Sequence, residues 1–170
     1  MADLKYLHQV FPVAPATRAL CERVGAERLA YHKRLATYRN WNPASYTIGC
    51  IGEALVAHLS QIPWQSTPDS DEIWADSGTD FPETDCKAVP VEYASDEGVL
   101  RRLAESRSWA PYYCLVVVQS DWTAARYAGW TTGVRLSKAP QKEYGHGPTC
   151  IVEERQLNPG LPPPLVKGRH

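Results

Sequence analysis

Between Gly78 and Val89 the chain reads Gly-Thr-Asp-Phe-Pro-Glu-Thr-Asp-Cys-Lys-Ala-Val, three carboxylates and then a lysine. In an extended strand, residues two apart project to the same face. Asp85 and Lys87 would therefore stand side by side, with Cys86 and Ala88 turned toward a core. Pro82 sits where a turn belongs, and a tight turn over Phe81 to Thr84 would bring Asp80 back to that pair. Two carboxylates with an ammonium beside them form a pocket that could bind a hard divalent cation and a phosphate together. Glu83 could replace Asp80 as a ligand if the turn is placed differently. The plainer alternative for the same residues is an exposed hairpin with a salt bridge across it.

Such a pocket needs elements to hold it. Pro15 suits the first turn of a helix, and Leu20, Val24, Tyr31, Leu35 and Tyr38 carry a helical stripe to about residue 39. Its second half is basic, with Arg28, Lys33, Arg34 and Arg39 interleaved with aromatic residues, and Asn42-Pro43 breaks it. A second helix is predicted over about residues 45–61, with Ile48, Ile51, Leu55, Leu59 and Ile62 on one face and Glu53 near its border. Gly49 and Gly52 are costly inside a helix, which suggests close approach of another backbone or a ligand.

Seven acids and no basic residue lie between Pro68 and Asp85. Asp96 and Glu97 then read as the start of a short helix to about Ser106 that exposes Arg101, Arg102 and Arg107. Tyr112 to Val118 is a continuous apolar run suited to a buried central strand. Arg126 to Trp130, extended by Val134 to Leu136, reads as its return strand, and Thr149 to Val152 as a last short strand. The prediction is an α/β protein, a mixed sheet flanked by helices. The division is a helical extension over residues 1–44, a core over 45–159 and a flexible proline-rich tail over 160–170.

Composition narrows the function classes. At 170 residues with a net charge of -1, the chain has room for a core but no global field to draw it onto nucleic acid or membrane. No apolar run is long enough to span a bilayer and the N-terminus does not read as a signal peptide, which predicts a cytoplasmic protein without membrane partners. The five cysteines are scattered without CxxC spacing and read as free buried thiols.

Glu53 on its helix, then Asp80, then Asp85-Cys86-Lys87, then an apolar strand together resemble the PD-(D/E)xK, or restriction-endonuclease-like, nuclease superfamily, in its small phage-type members. The resemblance covers about residues 45–159. It implies a restriction-endonuclease-like core and hydrolysis of phosphodiester bonds, in DNA rather than RNA. It implies Mg²⁺ or Mn²⁺ held by Asp80 and Asp85, with Glu53 and the backbone carbonyl of Cys86 adding to the metal's surroundings. Lys87 would orient a water or offset charge in the transition state. Arg28, Lys33, Arg34, Arg39, Arg101, Arg102 and Arg107 would hold the phosphodiester backbone. Pairing of two copies, as nucleases that cut both strands often do, belongs to the same expectation. Two alternatives stay open: an inactive nuclease-like fold that binds nucleic acid or protein, and a phage- or defence-related inhibitor acting by protein contact.

Overall fold

The computed structural model describes residues 8–35, 42–64, 79–106, 108–145 and 147–166. Arg39, Arg107 and the acids from Asp69 to Asp76 lie outside the described residues.

Strand β1 (Val10–Pro12) leads into helix α1 (Pro15–Leu35) and helix α2 (Pro43–Ser60). Asn42 caps α2, its side chain accepting from the Ala44 N–H at 3.1 Å, and Pro43 occupies the first turn, where no amide donor is needed. Then come β2 (Thr84–Val91), β3 (Val99–Leu103), β4 (Tyr112–Gln119), β5 (Ala124–Thr132), a short helix α3 (Gly133–Ser137), β6 (Gln141–Glu143) and β7 (Pro148–Glu153). Single 3₁₀ turns follow at Glu154–Gln156 and Pro163–Leu165.

The architecture is mixed α/β. One sheet has the order β1-β5-β4-β2, and a second, antiparallel one the order β3-β7-β6. In the first, β2 and β4 run parallel, while β4–β5 and β5–β1 are antiparallel. Period-two alternation sends β4 side chains to two separate cores. Cys114, Val116 and Val118 pack with Cys21, Val24, Ile51 and Val56 of α1 and α2. Tyr113, Leu115 and Val117 pack with Leu100, Leu136, Cys150 and Val152. The two long helices thus cover one face of the first sheet, and the second sheet covers the other.

Gly52 lets α2 lie directly on β2. A Cβ there would come 2.7 Å from the Ala88 Cβ, whereas one at Gly49 would meet nothing within 4 Å. Gly52→Val is expected to lower stability by about 1–3 kcal/mol through overpacking, read from the midpoint of a urea unfolding curve. An unchanged midpoint would show that α2 does not need this close approach.

Four expectations are corrected. The helix predicted from Asp96 is absent. The Asp96 carboxylate instead accepts from the Tyr93 N–H at 2.9 Å in a tight turn, and Val99 to Leu103 are a strand. Val134 to Leu136 belong to α3, not to an extension of β5. The helices do not flank both faces, since a sheet occupies one of them. The proline-rich end packs down as far as Leu165, which is buried in the helix-side core with Leu161 against it. All five cysteines are free and buried. No helix among the described residues is long and apolar enough to cross a membrane.

Candidate functional site

The hairpin expected at Phe81 to Thr84 is present and tight. The Phe81 N–H donates to the Thr84 carbonyl at 3.0 Å, and the Thr84 N–H to the Phe81 carbonyl at 3.1 Å. Pro82 holds the first central position and Glu83 the second with a φ of 53°, the pattern of a type II turn. The turn folds Asp80 back along β2, where its Oδ2 accepts from the Cys86 N–H at 2.8 Å. Among the described strands β2 is the edge of its sheet, and Asp80 caps that edge. The N–H and C=O of one strand residue leave on the same side, so the Cys86 carbonyl also faces the edge that Asp80 occupies. The Asp85 carbonyl faces the other way and accepts from the Cys114 thiol at 3.7 Å.

Asp85 and Lys87 share a face, as period two requires, and Lys87 Nζ lies 2.7 Å from Asp85 Oδ2. Cys86 turns into the helix-side core. Asp80 is exposed to water, yet protein atoms crowd around its carboxyl. That desolvation, together with the nearby charges of Glu53 and Asp85, pushes its carboxyl well above the usual value of 3.8. Desolvation pulls the Lys87 ammonium down, but Asp85 and Asp80 outweigh it and hold the group above its ordinary value. Lys87 is therefore an ammonium at neutral pH and not a proton acceptor.

Both oxygens of Glu53 are held by other side chains. Arg28 Nη1 and Nη2 donate to its Oε1 and Oε2 at 2.5 and 2.8 Å, and Trp64 Nε1 donates to Oε2 at 3.0 Å. Glu53 reaches Asp80 through its charge, and Arg28 holds Glu53 within the fold rather than facing a phosphate backbone. Trp64 carried no sequence signal beyond ending α2. Lys33 and Arg34 are exposed on α1, with Arg34 5.8 Å from the centre of the Tyr31 ring.

Because β3 is a strand, its two central arginines diverge. Arg101 is exposed and lies over the Tyr144 ring at 4.5 Å. Arg102 turns inward, with Nη1 3.7 Å from Asp85 Oδ2. Its Nη2 donates to the Ser108 carbonyl at 2.8 Å. The guanidinium lies 5.7 and 5.5 Å from the centres of the Trp109 and Tyr113 rings. Tyr113 is itself fixed, its hydroxyl accepting from the Ala110 N–H at 2.9 Å.

Among the described residues no group of three or more His, Cys, Asp or Glu side chains is arranged to hold a metal ion. Mg²⁺ asks for less than that, because it keeps several waters and is commonly bound by one or two carboxylates. Asp80, Asp85 and the Cys86 carbonyl could supply such a set, and the crowding that raises the Asp80 carboxyl is what a divalent cation would relieve. The donors are all hard oxygens, which suits Mg²⁺ or Mn²⁺.

No protein-family model matches the chain, and neither a curated protein nor a solved structure matches it.

The crowding at Asp80 has a measurable consequence. A carboxyl whose folded pKa is raised stabilises the fold below its ordinary value, and that benefit disappears as pH rises through the raised value. Asp80→Asn keeps an oxygen to accept from Cys86 and removes the charge. The metal-free variant is expected to melt higher than the wild type near about pH 8, with the difference shrinking toward about pH 4. Contact with water keeps the effect modest. Melting curves that coincide at every pH would count against a crowded Asp80.

Proposed function

We propose that the protein is a divalent-metal-dependent nuclease with a restriction-endonuclease-like core, hydrolysing phosphodiester bonds in DNA in the cytoplasm. The observation that carries this reading is the tight Phe81–Thr84 hairpin, which brings Asp80 beside Asp85 while Lys87 stands on Asp85. The parallel β2–β4 pair with α2 packed on it suits such a core.

Asp80, Asp85 and the Cys86 carbonyl would hold the ion. When bound, Mg²⁺ or Mn²⁺ polarises the phosphate and lowers the pKa of a coordinated water. In the reaction a water oxygen bonds to phosphorus and the bond from phosphorus to one sugar oxygen breaks. The proton lost by the water is balanced by one gained at the leaving oxygen. Lys87, kept charged by its two aspartates, orients the water and offsets charge on the phosphate. Of the cations expected to contact DNA, Lys33, Arg34 and Arg101 are exposed and could follow its backbone. Two copies acting together would cut both strands.

The test is incubation of supercoiled plasmid and single-stranded oligonucleotides with the purified protein in Mg²⁺, in Mn²⁺ and in EDTA. Metal-dependent cleavage supports the proposal, and intact substrates in every condition would sink it. One observation favours the second reading, an inactive nuclease-like module that binds nucleic acid or protein. Both oxygens of Glu53 are already engaged by Arg28 and Trp64. That reading predicts a gel shift without cleavage.

A further inference from the structure

We infer that Arg102 is a phosphate-gripping residue of the reaction centre itself, not one of several cations spread along a DNA groove. The inference rests on the nuclease reading of the Asp80–Asp85–Lys87 recess and adds a second cationic wall to it.

Three observations carry it. The first is placement. β3 pairs Arg102 with the buried Cys150, so its side chain starts on the inner face of the second sheet and emerges beside Asp85. Arg101, one residue away, is exposed over Tyr144 and cannot reach the recess without crossing the sheet.

The second is how Arg102 is held. The Ser108 carbonyl takes one hydrogen bond from Nη2, and the Trp109 and Tyr113 rings stand on the guanidinium. Rings fix a guanidinium in place without occupying its donors. The 3.7 Å between Nη1 and Asp85 Oδ2 is an ion-pair distance beyond hydrogen-bond reach, and Lys87 already holds that oxygen at 2.7 Å. Nε is buried with no hydrogen-bond partner. An arginine recruited only to neutralise Asp85 would close that gap. Here it is held off by an independent scaffold, with donors to spare.

The third is charge. Glu53 and Arg28 cancel each other. Once a cation displaces any proton from the crowded Asp80 carboxyl, Asp80 and Asp85 carry two negative charges against the two positive ones of Lys87 and Arg102. A divalent cation would leave this neutral set with an excess of two positive charges, which calls for an anion. A phosphate ester, presenting two non-bridging oxygens to a planar fork of N–H groups, matches both the charge and the geometry of a guanidinium.

The experiment uses the full chain and a probe whose binding does not depend on turnover. Thymidine 5′-monophosphate, the smallest product-like phosphate monoester, is titrated calorimetrically in Ca²⁺ into wild type, Arg102→Met and Arg102→Lys. The same proteins are assayed in Mn²⁺ on plasmid and on bis(p-nitrophenyl) phosphate, which has no DNA backbone to contact. Arg102→Met is expected to bind the nucleotide at least about 10-fold more weakly and to hydrolyse both substrates about 100-fold more slowly. Arg102→Lys is expected to recover part of each loss, and it serves as the readout if the Met variant misfolds. Unchanged nucleotide affinity in the variants overturns the inference whatever happens to turnover. So does a variant that hydrolyses the small diester at the wild-type rate. Arg102-dependent nucleotide binding by a wild-type protein that cleaves nothing would retain this phosphate site and remove the nuclease reading. A wild type that binds no nucleotide removes both.

Discussion

On the nuclease reading, Asp85→Asn is expected to remove metal-dependent DNA cleavage and leave the fold standing. Asn has the shape of Asp and can still accept from Lys87, so what is lost is charge on the one side chain that both Lys87 and Arg102 approach. The expected fall in turnover is about 1,000-fold, or about 4 kcal/mol of transition-state stabilisation. A second measurement separates metal binding from chemistry. Mn²⁺ is expected to raise the melting temperature of the wild type, because a ligand that binds only the folded state stabilises it by mass action, and to leave the variant unmoved. Equal Mn²⁺ stabilisation of both proteins would show that Asp85 is not a ligand, and equal turnover would show that the recess is not where cleavage occurs.

The largest effect on stability is expected far from the recess, at Arg126 and Glu154. Both are buried, and Arg126 holds both Glu154 oxygens through Nη1 and Nη2. Arg126 Nε and Nη2 also donate to the carbonyls of Ala94 and Asp96, each at 2.8 Å, and Glu154 accepts from the Gly98 N–H at 2.8 Å. The pair therefore clamps the connection from β2 to β3 against β5 and the end of β7. Glu154→Gln leaves the Arg126 charge buried without its partner and should cost about 3–5 kcal/mol. That is a large share of a typical domain's stability of about 5–15 kcal/mol. Arg126→Met with Glu154→Leu removes both charges and is expected to recover much of the loss. Urea unfolding of the single and double variants measures it. A single variant as stable as the wild type would mean that the clamp contributes nothing.

The sequence was readable where the deciding interactions are local. Pro82 and the alternation of Asp85, Cys86 and Lys87 are enough to predict the hairpin and the face each side chain takes. Asn42-Pro43 and the apolar stripe of α2 are likewise local signals. β3 misread as a helix because Asp96-Glu97 imitates a cap and Leu100 and Leu103 are spaced as on a helix face. In the structure the Asp96 carboxylate is taken by Tyr93, and pairing with β7 sets the backbone of Val99–Leu103. That one misreading hid the placement of Arg102 beside Asp85, since only a strand separates it from Arg101. The Arg126–Glu154 clamp and the Arg28–Glu53 pair join residues 28 and 25 positions apart, with no pattern in between. Leu161 and Leu165 are held by a core built from the helices and the first sheet, so the tail's composition alone suggested disorder.

The parallel pairing of β2 with β4 also governs when the recess exists. Two parallel neighbours cannot close through a short turn. The chain must first travel through the second sheet, where β3 lies, before Tyr112 can meet Thr84. Such non-local pairing forms slowly, because chain entropy is lost before any contact compensates for it. Asp80, Asp85 and Arg102 come together only once that journey is complete. On the nuclease reading, a half-made chain leaving the ribosome has no cutting edge, and the cell that makes it meets the activity only in finished molecules.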